Sequence, residues 1–316
     1  MKKKILTLDG GGIKGIYSLS FLSKIEEYLG KPINKYFDLI VGTSTGGIIA
    51  LGLGKGYSAT DLLNFYESMG KEIFSGNRYL NAIKHLGFGK YKNEILKKCL
   101  EEKFGETQLG ESKIRLVIPS QNLDNGDVHL YKTAHNERFK GDYKEKMTTI
   151  GMATSAAPTY FPIFQAPNGL YLVDGGTYAN NPLAIAAVEA VGILNWSPED
   201  LFILSIGCTN EQLNIKMPKR LSLGRIYWAF KAINLIMKGQ SSAAFGMAQH
   251  LTGYHVTRID EIVAKGKFAI DSINGINNLI GLGNTKGRNE FQNLKEIYFN
   301  EITEEFIPCF NLNKGD

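Results

Sequence analysis

Cysteine is scarce in this chain. Cys99, Cys208 and Cys309 are its only cysteines; they are far apart, odd in number and form no CxxC pair, which argues against a disulfide framework and a zinc site. No stretch approaches the roughly 18 uninterrupted apolar residues of a membrane-spanning helix. Lys2-Lys3-Lys4 carries the charge of an export signal, but only Ile5 to Leu8 follow before Asp9, too short an apolar run for that purpose. The 35 glycines and 9 prolines are scattered, so no Pro/Gly/Ser-rich linker divides the chain. There is no internal repeat and no low-complexity tract. These absences lead us to expect a single domain over residues 1–316 in a reduced, cytoplasmic compartment.

What is present is the composition of an ordinary globular protein, 43% hydrophobic and 21% charged. The net charge of +5 is modest. It favours an anionic membrane surface or an anionic ligand, and a nucleic-acid polymer is not expected as a partner. Ile5–Leu8 reads as a buried strand running into Asp9-Gly10-Gly11-Gly12, and Ile16–Leu29 as a helix ended by Gly30. Phe37–Val41 is a second buried strand and Thr45–Leu53 a second helix. This order predicts a parallel α/β unit. Further helices are expected over Ala59–Met69, Asn93–Phe104, Thr148–Ala157 and Pro182–Val191. Further strands are expected over Lys113–Pro119, Val128–Lys132, Leu170–Val173 and Leu201–Ile206, and the last hundred residues or so read as mainly helical.

Gly10, Gly12 and Gly15 satisfy G-x-G-x-x-G between a strand and a helix, the setting of a dinucleotide fingerprint. Such a fold needs an acidic residue at the end of the second strand to hold a ribose. Asp38 sits at that strand's beginning instead, and neither loop has a Gly-Lys-Ser/Thr ending. An NAD-type oxidoreductase is therefore the competing reading. The same glycines expose amide groups at a helix N-terminus, with Lys14 nearby, which suits a developing oxyanion.

Gly42-Thr43-Ser44-Thr45-Gly46 matches G-x-S-x-G at a strand-to-helix turn. Small residues on either side of Ser44 leave room for the sharp bend that exposes a nucleophilic hydroxyl. The competing reading is a helix-capping serine. A serine hydroxyl needs a base. His250 and His255 fit the chain order of a Ser-Asp-His triad, yet neither lies at a glycine-flanked strand end. Asp174 does, directly before Gly175-Gly176; an Asp-Gly turn is its bland alternative. Asp9, ending the first strand, is a second carboxylate candidate, better placed to orient its own loop. On the residues alone the base stays open.

Together, Asp9–Gly15, Gly42–Gly46 and Asp174–Gly176 resemble the patatin-like phospholipase family, whose pattern is D-G-G-G-x-[KR]-G, G-x-S-x-G and D-G-[GA] in that order. The segment Ala153–Pro162 and the run Asn180-Asn181-Pro182 agree with it. The resemblance covers residues 5–210. It implies a three-layer α/β/α fold with a mainly parallel central sheet; the residues beyond it, 211–316, read from their own pattern as a C-terminal helical portion. The resemblance also implies Ser44 as nucleophile, Asp174 as general base, and an oxyanion hole at Gly10, Gly11 and Gly12. Lys14, Gly15, Gly42, Gly46, Gly175 and Gly176 would support these groups, with no histidine, metal or cofactor taking part. The implied substrate is an acyl ester of membrane phospholipid, with peripheral contact at the inner membrane. Some relatives of this kind are antiviral effectors switched on by a cyclic nucleotide, so such an activator is expected as a partner. A non-catalytic lipid- or nucleotide-binding module would keep the same motifs. Oligomeric state is left open.

Beyond residue 210, Leu223, Ile226, Tyr227, Phe230, Ile233 and Met237 recur at helical spacing, with Arg225, Lys231 and Lys238 elsewhere around the helix. Such a helix is expected either to face the core or to serve as a lid or membrane-facing element. Asn313–Asp316 is expected to fray.

Overall fold

The computed structural model describes residues 2–74, 90–211 and 225–312; of residues 225–231, 233 and 234 it describes the backbone. Leu223 and residues 313–316 lie outside the described residues, as do the side chains of Arg225, Ile226, Tyr227, Phe230, Lys231 and Ile233.

Strand β1 (Lys3–Leu8) lies in the middle of the sheet, paired in parallel with β2 (Leu39–Gly42) on one side and β7 (Leu201–Ile206) on the other. Its last five residues are buried. A parallel strand covered on both faces favours apolar residues on both sides, which is why Ile5–Leu8, β2 and β7 read as near-continuous apolar runs, broken only at Thr7 and Ser205. Beyond β2 comes β3 (Arg115–Asn122), also parallel, and beyond β7 comes β9 (Val256–Ile259). The connected path is β5-β6-β3-β2-β1-β7-β9, with β4 against β3. The strands β4 (Val128–Lys132), β5 (Phe164–Gln165) and β6 (Tyr171–Asp174) are antiparallel additions at the β3 end.

One detail of register positions the site. β4 pairs with Val117–Gln121 along one edge of β3. Both β2, opposite Arg115–Val117, and β6, opposite Ser120–Asn122, must therefore use the other edge. They lie end to end. Because β6 runs antiparallel, its last residue, Asp174, arrives beside the last residues of β2.

Helices cover both faces. On one, α1 (Gly15–Leu29), α2 (Thr45–Lys55), α3 (Ala59–Phe74), α4 (Asn93–Phe104), α5 (Met147–Ser155) and α9 (Ile276–Tyr298) share a core with Leu6, Leu8, Ile40, Leu116 and Leu204. On the other, Ile5, Leu39, Val41 and Ile203 meet Leu183 and Ala186 of α7 (Leu183–Val188) and Ala244 and Ala248 of α8 (Arg225–Leu251). A one-turn helix, α6 (Gly176–Ala179), lies between β6 and α7. The three-layer α/β/α expectation holds. The second half of α8 faces the core through alanines.

The predicted elements before residue 210 form within a few residues of their expected ends; Pro182–Val191 becomes α7 followed by a π-helical turn, Glu189–Ile193. The last third is mainly helical, as expected, through α8 and α9, but it also carries strands that its pattern did not announce. It adds β9 to the main sheet and pairs β10 (Ile262–Val263) with β8 (Asn210–Glu211). Among the described residues no helix is long and apolar enough to cross a membrane.

Candidate active site

The loops after β1, β2 and β6 converge. Ser44 stands at the turn between β2 and α2 with φ 55° and ψ −122°, a conformation that costs a non-glycine residue of order 1–3 kcal/mol. Close backbone approach holds it there. A Cβ on Gly42 would sit 2.1 Å from the Gly46 carbonyl oxygen, and one on Gly46 would sit 2.2 Å from that of Leu8. No side chain fits at either position. Thr43 anchors the turn from below, its amide donating to Leu8 O and its hydroxyl to Ala179 O.

Ser44 Oγ donates a 2.6 Å hydrogen bond to Asp174 Oδ2, and Gly176 N–H donates to Oδ1 at 2.7 Å. Asp174 is 4% exposed. Burial pushes its carboxyl up to about 6, against the opposing pull of the Ser44 and Gly176 hydrogen bonds. Gly175 follows directly, its carbonyl accepting from the Tyr178 and Ala179 amides.

The glycine loop lies against this pair. A Cβ on Gly10 would fall 3.2 Å from that of Ser44, and Thr45 Oγ1 donates to Gly12 O at 2.7 Å. Gly10 N–H is already spent on Asn180 O, while Asn180 Nδ2 returns a bond to Gly10 O. The Gly11 and Gly12 amides donate to no protein acceptor among the described residues. Of the expected oxyanion donors, these two are free and Gly10 is not. Lys14 is partly exposed, and its Nζ donates to Thr209 O. Gly15 opens α1, packed against the Thr45 side chain.

The remaining candidates lie apart. His250 is exposed on α8 beside Tyr254, and His255 stacks on Phe202. Among the described residues no histidine bonds Ser44 or Asp174. Asp9 has its carboxylate bound by Arg258. Burial works against that guanidinium's charge, but Asp9 and Asp260 more than offset it and hold Arg258 above the usual arginine range.

Three residues that shape the site had no role assigned from the sequence, although two of them lie in segments it singled out. Thr154 Oγ1 accepts from Ser44 N–H at 3.0 Å and donates to Pro119 O. Asn180 brackets Gly10 as described. Arg258 belongs to β9, a half-buried strand with no apolar run to announce it. The small-residue stretch Ala153–Pro162 and the Asn-Asn-Pro run were the available signals for the first two; Arg258 carried none.

A three-layer α/β fold with a hydrogen-bonded Ser-Asp pair and two unpaired loop amides at the strand ends defines the class. The chain belongs to the patatin-like phospholipase family, which it matches over residues 6–187. It is 33% identical to a cGAMP-activated phospholipase of Pseudomonas aeruginosa over 81% of this chain and 78% of that one. It is 37% identical to a cGAMP-activated phospholipase of Escherichia coli over 70% of this chain and 66% of that one. In fold it overlaps VipD from Legionella pneumophila with a TM-score of 0.46 at 12% identity, covering 93% of this chain and 67% of that one. The family match sets aside the dinucleotide-dependent oxidoreductase suggested by Gly10, Gly12 and Gly15.

Proposed function

We propose that this chain hydrolyses fatty-acyl esters of membrane phospholipids through Ser44 and Asp174. The observation that carries the reading is the 2.6 Å bond from Ser44 Oγ to the buried Asp174 carboxylate at a strained turn. Ser44 Oγ attacks the ester carbonyl carbon as its proton passes to Asp174. The carbonyl oxygen, now negative, is met by the Gly11 and Gly12 amides. Collapse breaks the bond to the alcohol oxygen, which takes the proton from Asp174 and leaves as the lysolipid. Water then attacks the acyl-Ser44 ester, losing a proton to Asp174. The second tetrahedral species releases the fatty acid, and the proton returns to Ser44 Oγ.

The relatives' names support activation by a cyclic nucleotide of the cGAMP kind, and a membrane-lipid substrate supports peripheral contact with a membrane. The net charge of +5 and the exposed Ile236, Met247 and Leu251 of α8 support a position at an anionic bilayer. The sheet and its two helical layers support one domain over 1–316, with 5–210 as its catalytic core.

A fluorogenic phospholipid assay with and without a panel of cyclic di- and trinucleotides, cGAMP included, tests these points. Wild type should turn over substrate, most strongly with one nucleotide, and Ser44→Ala should lose at least about 10³-fold. Equal activity in Ser44→Ala would sink the nucleophile. A wild type silent under every nucleotide would favour a non-catalytic module.

A further inference from the structure

The glycine loop is held from a direction that the Ser-Asp pair does not require. Asp9, 5% exposed, is the residue immediately before the glycines. Both its carboxylate oxygens are taken by Arg258, Nη1 to Oδ1 at 2.9 Å and Nη2 to Oδ2 at 2.5 Å. The same guanidinium donates to Ser205 Oγ at 2.7 Å and Asp260 Oδ2 at 2.9 Å. All four protons on its terminal nitrogens are thereby used. Asp9 N–H donates to Ile206 O, and Cys208 Sγ lies 3.4 Å from Asp9 O. Side chain, amide and carbonyl of Asp9 are thus all fixed by β7, β9 and the turn after β7. On the far side of the free amides, Ile13 N–H donates to Ile270 O. Gly11 and Gly12 hang between these two anchors.

We infer that Arg258 is a positioning residue for acyl transfer: through its two-pronged bond to Asp9 it sets the Gly11 and Gly12 amides where the ester oxygen becomes negative. This rests on the Ser44–Asp174 reading above. Two physical effects combine. Planar two-point pairing fixes the orientation of the Asp9 carboxylate as a single point charge would not. It also neutralises a carboxylate two and three residues from the donating amides, which would otherwise oppose a second negative charge nearby. Arg258 lies outside the residues 6–187 that match the family, so the last third of the chain completes the site.

The test uses the full chain, p-nitrophenyl butyrate as substrate, and assays with and without the panel of cyclic di- and trinucleotides, cGAMP included. Arg258→Gln should lower kcat by roughly 10²-fold with KM within about twofold, because the interaction lost belongs to the transition state. Affinity for an alkyl trifluoromethyl ketone, which forms an oxyanion adduct with a serine, should fall in parallel. A merely structural role would lower soluble, folded protein without separating these quantities. The double variant Asp9→Asn/Arg258→Gln should be no slower than Arg258→Gln alone. If Arg258→Gln does not fold, Arg258→Lys is measured instead and should lose roughly 10-fold in kcat at unchanged KM. Wild-type kcat in the folded Arg258 variant, or strictly additive losses in the double variant, overturns the inference. Ser44→Ala run alongside separates the two claims. If Ser44→Ala is inactive and the Arg258 variant unimpaired, only the positioning role falls. If Ser44→Ala is active, or wild type turns over no ester under any nucleotide of the panel, the functional reading falls and takes this inference with it.

Discussion

Asp174→Asn should make the protein more stable while removing its turnover, and the gain should depend on pH in a calculable way. The folded carboxyl titrates at about 6 against an ordinary value of 3.8, because burial disfavours its charge more than the Ser44 and Gly176 bonds restore it. At about 1.4 kcal/mol per pH unit, holding it ionised costs the fold about 3 kcal/mol. Between pH 3.8 and 6 the folded chain binds more protons at this site than the unfolded one, so the site's contribution falls as pH rises through that window. Above pH 6 the full cost is present, and below 3.8 it vanishes because both states are protonated. Asparagine has no proton to lose. Its oxygen can keep the Gly176 N–H, and its amide can donate to Ser44 Oγ once the hydroxyl rotates. The variant should therefore exceed wild type by about 3 kcal/mol at pH 8 and by only about 1 kcal/mol at pH 4.5. Urea unfolding at both pH values, with m-values compared, measures this difference; other carboxylates titrate in both proteins and cancel. A difference that does not change with pH, or a variant less stable than wild type at pH 8, would refute the account of Asp174 as a strained, buried base.

The same ionisation should shape activity: kcat/KM for a neutral ester should rise tenfold per unit below about pH 6 and level off above it, and a flat profile between pH 5 and 7 would count against Asp174 as the base. Thr154→Val deletes the acceptor for Ser44 N–H and the donor to Pro119 O; it should cost about 1–3 kcal/mol of stability and slow turnover, with Thr154→Ser restoring both in urea melts and kinetics. Gly46→Ala forces a Cβ to 2.2 Å from Leu8 O and should destabilise by at least about 2 kcal/mol. Gly141→Ala, where nothing lies within 4 Å, should fall within about 0.5 kcal/mol of wild type and serves as its comparison.

The elements that local chemistry dictates were legible in the chain. Buried parallel strands favour apolar residues on both faces, so Ile5–Leu8 and Leu201–Ile206, each broken by one hydroxyl residue, announced themselves, and β1 begins only two residues before its expected start. The bend at Ser44 needs small neighbours at Gly42 and Gly46, so the turn and its hydroxyl were visible without any fold. On its residues alone Asp174 was one of several carboxylates at strand ends, until the family pattern singled it out. Its pairing with Ser44 depends on β6 running antiparallel along the edge of β3 that β2 vacates, a register set by contacts between segments at least 50 residues apart. Gly10 looked equal to Gly11 and Gly12 until the Asn180 carbonyl claimed its amide. The last third was least legible: β9 is a half-buried strand, and Val-Thr-Arg-Ile carries no apolar run or alternation. Its Arg258 meets Asp9 across 249 residues. Sequence by itself determined which loops could hold a nucleophile and an oxyanion, because those demands fall on adjacent residues; only the tertiary structure brought the Asp174 carboxylate against Ser44 and Arg258 against Asp9, because pairing of side chains acts through space and leaves no period along the chain.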